Sequence, residues 1–342
     1  MKFHGGVHIR GWALHLPPDV CTAEQAVAEG VAEPDVREVH GFESVGVSKL
    51  SAPEMAVDAG LTALEKGGVA ARSVRLVVHG HVGHQGQDFW SPAHYVARHC
   101  GAEEAEAVVV QQLCNGSVAG LSAAACRMLA DPSVGRALVT TADRFPAPAI
   151  NRWRSDTTTV LGDGATALLL DGEAGELELL SLCTASVPAL EEMHRCGRPF
   201  TDVPFEAGDP MSTHKAKSRW LQREGMAEFA RISLASMRRV LRQAIVEAGA
   251  TPDDPRLRIV TLPRLSQKLL ADAYTPVLVE LPQCRFVPYG SRTGHLGCGD
   301  LAANVAELLT DDHLEPGGIA VMLSAGAGFS WSCVCVRRNP PR

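Results

Sequence analysis

The run Val108–Val110, followed at once by Gln-Gln-Leu-Cys-Asn-Gly-Ser-Val-Ala-Gly-Leu (111–121), constrains this chain more than any other stretch. Consecutive β-branched apolar residues predict a buried strand, and the small residues from Asn115 to Leu129 predict a helix packed close against it. The turn between them puts Cys114 at the first turn of that helix. Unpaired N–H groups and the positive end of the helix dipole favour a thiolate there, and the thiolate is the reactive form. A second loop, Gly-His-Leu-Gly-Cys-Gly-Asp (294–300), leads into another helical pattern, Leu301–Leu309. It offers His295 as a base and Asp300 as a carboxylate to orient it, the constellation of a cysteine acyl-enzyme. Each loop has a plainer reading when taken alone: Cys114 as a small core residue, and Asp300 as the N-cap of its helix.

The rest of the pattern supports layered α/β architecture. Strands are predicted at Val7–Leu14, Leu76–His79, Val108–Gln111, Ala137–Thr141 and Ala165–Leu170, with helices at Ala52–Lys66, Ala93–His99 and Asn115–Ala130. Further strands fall near Leu177–Thr184, Ile259–Leu262, Ile319–Leu323 and Trp331–Val336, with helices at Gly225–Ala248, Gln267–Ala273 and Leu301–Leu309. Alternation of this kind indicates a largely buried sheet. Because each half ends a reactive loop in a small-residue helix, a duplicated unit is expected, divided as 1–174 and 175–342 with Asp171–Glu176 as linker. Residues 195–223, rich in Pro, Gly and charge, read as a long surface excursion.

Composition excludes several classes. A formal net charge of −7 argues against a general nucleic-acid binder. No apolar run is long enough for a membrane span, and Pro17, Pro18 and Asp19 interrupt the first one, so a soluble cytoplasmic protein is expected. The ten cysteines contain no C-x-x-C pair, which favours reduced core thiols over a zinc framework. His79, His81, His84, His94 and His99 span a strand end, a loop and a helix without a completing ligand pattern, so no metal is expected. Gly162 and Gly164 lack the downstream Lys-Ser/Thr of a phosphate loop. The arginines at 219, 223, 231, 238, 239 and 242 read equally as a solvated, internally paired helix face or as a docking surface for an acidic partner.

Several motifs in order resemble the thiolase-fold β-ketoacyl-acyl-carrier-protein synthase III group over nearly the whole chain. The Cys114 segment looks like that family's nucleophile loop, Leu161-Gly162-Asp163-Gly164-Ala165 like its G-D-G-A motif, and Gly326–Trp331 like its last Gly-rich turn and strand. Glu224–Ser233 is similar to the start of its carrier-facing helix. The resemblance implies a thiolase-like fold of αβαβα halves with the site at their junction. It further implies a homodimer, an acyl carrier protein or coenzyme A supplying a phosphopantetheine thioester as substrate, and no bound cofactor. By motif position it puts Arg264 at the substrate pocket, Trp90 in the substrate pocket of the partner subunit or, compatibly, at the interface as an anchor, and the N–H groups of Cys114 and Ala327 in an oxyanion hole.

The departures from the family pattern concern the chemistry. Condensing members pair their Cys with a His and an Asn, two neutral donors that stabilise the enolate formed on decarboxylation. In this chain Arg264 stands where the His would be, and His295, with Asp300 five residues on, where the Asn would be. A Cys–His–Asp set suits transfer of an acyl group from Cys114 to a hydroxyl or amine, with a second carrier thiol as a further acceptor class. The resemblance therefore narrows to the acyltransferase branch active in secondary metabolism. Decarboxylative condensation and a catalytically degenerate thiolase-fold partner are the competing readings. A thiolate already formed at the helix terminus would leave His295 needed only for the acceptor's proton.

Overall fold

The computed structural model describes residues 1–156, 158–202 and 211–341. Its main sheet contains β1 (His8–His15), β2 (Leu76–Gly80), β3 (Glu106–Val110), β4 (Arg136–Asp143), β5 (Gly164–Asp171), β6 (Leu177–Ser186), β7 (Leu257–Thr261), β8 (Arg285–Phe286), β9 (Ile319–Gly326) and β10 (Ser330–Arg338). The principal helices are α1 (Ala52–Gly67), α2 (Pro92–His99), α3 (Gly116–Ala130), α4 (His214–Glu224), α5 (Met226–Glu247) and α6 (Asp300–Thr310).

The spatial order is β8-β7-β9-β10-β6-β1-β5-β4-β2-β3. Each half runs, from its outer edge, third strand, second, fourth, fifth, first. The pairing sense repeats as well. The two outer pairings of each half are parallel and the two inner ones antiparallel. The halves join where β1 meets β6, at His8↔Glu178 and Ile9↔Leu177. We propose residue 174/175 as the boundary of the duplicated unit, on the strength of this repeated order.

Side-chain alternation explains the layers, since successive residues of a strand point to opposite faces. On β5, Leu168 and Leu170 face one core with Val118, Leu121 and Ala125 of α3 and Leu301, Val305 and Leu308 of α6. Ala320 and Met322 of β9 enter the same core from the other half, so α3 and α6 lie between the two halves of the sheet. The opposite face of β5 (Ala165, Ala167, Leu169) packs on α1, and that of β9 (Ile319, Val321, Leu323) packs on α5. The αβαβα arrangement follows from these faces. Strands covered on both sides need no polar face, and every residue of β5 is buried.

Small residues let the middle helices press inward. A Cβ on Gly120 of α3 would lie 3.0 Å from Val139 and 3.5 Å from Val78, and one on Gly116 would lie 2.7 Å from the Cβ of Cys298. Outer helix α1 starts on a Ser51/Glu54 capping box and ends at Gly68 in the left-handed region.

Two expectations need correction. Gln267–Ala273 is not one α-helix: Gln267–Leu269 is followed by a π-turn over Leu270–Tyr274 and a short helix Thr275–Leu278, with Pro276 near its start. Part of the 195–223 excursion is helical, as α4. Ala216 and Trp220 bury one narrow stripe of it, too narrow to stand out in a segment otherwise polar. Residues 203–210 of that excursion lie outside the described residues. The two-residue β8 has no readable pattern and is held by its pairing with Ile259 and Val260. No helix among the described residues is long and apolar enough to cross a membrane.

His79 lies opposite Thr140 in the β2–β4 register and is fully buried, with Nδ1 at 2.9 Å from Thr140 Oγ1 and Nε2 at 3.1 Å from Gln85 Oε1. Burial pushes its pKa down to about 4. The unfolded chain therefore takes up this proton first as the pH falls, so stability complete above about 6.5 is lost toward pH 4, with His79 contributing on the order of 3 kcal/mol. Urea unfolding measured between pH 7 and 4.5 should show that slope. In His79→Leu, stability at pH 7 should be lower and the slope shallower.

Candidate active site

Cys114 stands just ahead of α3, not within its first turn. Asn115 is the N-cap and the helix begins at Gly116. The early N–H groups are already used: Asn115 donates to Gln112 O at 3.1 Å, Gly116 to Leu113 O at 2.9 Å and Ser117 to Cys298 O at 3.0 Å. Little of the helix terminus is left to hold a thiolate. Leu113, beside the nucleophile, is forced into the left-handed region (φ 45°), which makes the turn tight enough to half-expose Cys114.

The loop carrying His295 is clamped from three sides. The His295 N–H donates to Val160 O at 2.8 Å, and its carbonyl accepts from Gly162 N at 2.9 Å. A Cβ on Gly162 would lie 1.8 Å from the Thr293 carbonyl oxygen, so only glycine permits this approach. Asp143 holds the other end. Its Oδ1 accepts from Val82 and Gly83 N–H at 2.8 and 2.7 Å, and its Oδ2 from Cys298 N–H at 3.0 Å.

Inside this frame His295 and Asp300, 3% and 2% exposed, form a buried pair. His295 Nδ1 donates to Asp300 Oδ2 at 2.5 Å. Because the carboxylate can only accept, the Nδ1 proton is fixed and Nε2 carries the lone pair of the neutral ring. Nε2 is buried and without a hydrogen-bond partner among the described residues. Burial opposes charging the ring, but the Asp300 carboxylate and then the Cys114 thiolate outweigh it and hold the imidazole well above its usual range. Burial likewise opposes charging Asp300, and His295 with Arg264 keeps its carboxyl below the usual value.

Asp300 is not the N-cap of α6, a position that falls to Gly299. Its Oδ1 accepts from Leu296 N–H at 2.9 Å, and its Oδ2 from Arg264 N–H at 2.8 Å as well as from His295. The carboxylate is turned back onto its own loop.

Arg264 does not line a pocket, contrary to expectation. It is fully buried, with Nε donating to Asn304 Oδ1 at 3.0 Å, Nη1 to Thr293 Oγ1 at 2.8 Å and Nη2 paired with Glu307. Trp90, expected to reach a partner subunit's pocket, is 39% exposed in the single chain, edge-on to Tyr95 at 5.6 Å. Ala327 does lie beside the nucleophile loop. A Cβ on its neighbour Gly326 would sit 2.8 Å from Asn115 N, and the Ala327 N–H finds no backbone acceptor among the described residues. Ala327, Leu113, Gln112 and Phe329 line a cleft of about 510 Å³. A second opening of about 590 Å³, lined by Phe42, Trp153, Arg154, Val160 and His214, backs onto the peptide that holds His295.

Residues the sequence left unnoticed complete the surroundings. Asp143 brackets both loops. Asn304 and Glu307 belong to a polar stripe on a buried helix, a signal legible once α6 is known to lie in the middle layer. Burial raises the Tyr274 hydroxyl, with the Asp300 and Cys114 charges adding to it, so this residue of the π-turn is within electrostatic reach of the site. Nothing in its sequence marks it. Among the described residues no cluster of three His, Cys, Asp or Glu side chains is arranged to hold a metal. Arg223, Arg231, Arg238 and Arg242 are paired with Glu192, Glu228 and Glu280, as a solvated face would be.

Comparison with known proteins agrees with this geometry. The family model described as 3-oxoacyl-[acyl-carrier-protein] synthase III matches residues 110–186, and that for its C-terminal part matches residues 257–338. The chain is 27% identical to the β-ketoacyl-[acyl-carrier-protein] synthase III of Rhodospirillum centenum, over 96% of this chain and 98% of the relative. It is 27% identical to that of Rhizorhabdus wittichii over 83% of each. Among solved structures, ChlB3, described as an acyltransferase, superposes with a TM-score of 0.89 at 29% identity over 98% of both chains. The synthase III of Pseudomonas aeruginosa shares the fold at a TM-score of 0.77 and 20% identity, covering 98% and 99%. Fold and site thus define a thiolase-fold protein with a cysteine centre. The two matched segments and the relatives along most of the chain support a place in the 3-oxoacyl-[acyl-carrier-protein] synthase III-like thiolase-fold family, a family of enzymes.

Asp300→Asn keeps the shape of the pair but removes its charge. The His295 imidazole should then titrate at least about one pH unit lower by NMR, and iodoacetamide should alkylate Cys114 more slowly at neutral pH. An unchanged titration would show that Asp300 does not hold the ring charged.

Proposed function

We propose that the protein is an acyltransferase that takes an acyl group from an acyl carrier protein, or from coenzyme A, onto Cys114 and passes it to a hydroxyl or amine of a natural-product intermediate. A carrier thiol is the other acceptor class. The observation that carries this reading is the division of labour behind Cys114: His295 is committed to Asp300 with Nε2 left free, while Arg264 is locked away from the substrate.

His295 Nε2 takes the Cys114 proton, and Sγ attacks the thioester carbonyl. The N–H groups of Cys114 and Ala327 receive the oxyanion, as backbone donors do in acyl transfer. Collapse expels the phosphopantetheine thiolate, which recovers the proton from His295. The acceptor then binds, Nε2 removes its proton, its oxygen or nitrogen attacks the acyl carbon, and Cys114 leaves and is reprotonated. Asp300 stabilises the imidazolium at both stages without taking the proton. The cleft lined by Gln112, Leu113 and Ala327 offers an approach beside Cys114.

Condensation would need two neutral donors on a malonyl carbonyl. Arg264 is fully buried with Nε, Nη1 and Nη2 each holding a partner, and the neutral His295 ring, its proton on Nδ1 toward Asp300, turns a lone pair rather than a donor to such a carbonyl. We further propose a cytoplasmic homodimer in which the exposed Phe89–Trp90 corner is an interface anchor; Phe89 is fully exposed in the single chain.

Intact-mass measurement after incubation with a panel of acyl carriers should show the acyl mass on Cys114, and none in Cys114→Ala, whose small side chain preserves the fold. Since the helix terminus is already occupied, His295→Ala should slow both self-acylation and onward transfer, by roughly 10²–10⁴-fold. A label on another peptide would overturn the mechanism.

A further inference from the structure

Helix α6 lies in the apolar middle layer, yet it carries Asp300, Asn304 and Glu307 at positions i, i+4 and i+7, one stripe along a single face. Buried polar groups on such a helix are costly unless partnered. One residue from another element, Arg264, partners the stripe. Its backbone N–H holds Asp300, its side-chain Nε holds Asn304 and its Nη2 holds Glu307. Asn304 is fixed in turn by donating to Leu262 O at 2.8 Å, just ahead of Arg264. Nη1 holds Thr293, whose hydroxyl donates to Gly294 O at 2.9 Å, next to His295. Room for Arg264 is made on the loop ahead of His295: a Cβ on Gly290, at φ 104°, would lie 2.7 Å from the Arg264 Cβ.

We infer that Arg264 is a positioning residue whose buried charge, balanced by Glu307, sets the proton affinity of the His295–Asp300 pair. Packing alone would be satisfied by an apolar side chain facing an apolar helix, and buried ion pairs are often no more stable than that alternative. A buried guanidinium behind the carboxylate does something packing does not: it favours the ionised carboxylate and opposes uptake of a further proton by the pair. Glu307 limits that effect, and burial in turn pushes its own carboxyl up despite the Arg264 charge. The other titratable groups that act on or lie against His295, Asp300, Arg264 or Glu307 include Cys114, Tyr274, Asp311 and Tyr289, whose ring centroid is 5.9 Å from the Arg264 guanidinium. The inference rests on the catalytic pairing proposed above, but its test does not depend on acyl transfer.

The test is NMR titration of imidazole-labelled protein, with the His295 signal assigned by its loss in His295→Ala. Arg264→Met removes a positive charge and should raise the pKa of the pair. Glu307→Gln removes a negative one and should lower it. Each shift should be about half to one pH unit, and Arg264→Lys should restore most of the first. The acid limb of Cys114 alkylation by iodoacetamide should move in the same two directions. Should Arg264→Met fail to fold, the half-buried Glu307→Gln and the neutral pair Arg264→Met/Glu307→Gln still decide the matter: Glu307→Gln must shift downward and the neutral pair must fall close to wild type. Shifts of the same sign in both single variants, or no shift in Glu307→Gln, would reduce Arg264 to a structural role. Opposed shifts in a protein that transfers no acyl group would uphold the inference while refuting the proposed reaction.

Discussion

The hydrogen bond from Ser117 N–H to the Cys298 carbonyl ties the nucleophile's helix to the loop of the base, and much of the site follows from it. Two helices that start in the middle layer must present their first turns to one another across very little space. Gly116 lies against Cys298, Gly162 against Thr293, and Gly297 against Asp143, where a Cβ would lie 2.0 Å from Oδ2. Backbone thus meets backbone around the pair, and water has little room to enter. A buried imidazole–carboxylate contact is effective under those conditions, because the surrounding dielectric is low and the geometry is fixed before substrate arrives.

The same closeness redistributes the work of activation. A cysteine at an uncommitted helix terminus owes its ionisation to the helix. Cys114 does not have that support, because the N–H groups of residues 115–117 already have acceptors. The charge partner left to it is His295, and His295 is kept basic by a carboxylate with three donors of its own. Chemistry at the thiol is thereby coupled to residues on α6 and to Arg264, which never touch the substrate. This coupling distinguishes the centre from one built on two neutral donors, since a basic ring whose Nε2 carries the lone pair can shuttle protons but offers an enolate no donor until it is protonated.

The sequence carried the architecture well because the strongest signals were local. Apolar runs such as Leu168–Leu170 and small-residue helices such as Gly116–Ala130 declare themselves by composition and period. Cys114, His295 and Asp300 were legible from two short motifs, and the structure brings the last two together. What stayed hidden depends on through-space contacts. The direction of the Arg264 side chain is set by a helix 36 or more residues away, and a motif position alone placed it in the pocket. Asp300 had the right residue type for an N-cap, but three donors converging on its oxygens outcompete the helix N–H groups. Tyr274 belongs to a π-turn, and no periodicity predicts such a turn.

The central claim is that this centre moves acyl groups without making carbon–carbon bonds. It is tested most directly by giving the wild-type protein, pre-acylated on Cys114, a malonyl carrier thioester labelled with carbon-13 at the free carboxyl, and following labelled carbon dioxide beside acyl transfer to a panel of hydroxyl and amine acceptors. The account predicts transfer to an acceptor with no label released above the uncatalysed rate. Labelled carbon dioxide and a 3-ketoacyl product, formed as fast as acyl transfer, would contradict it.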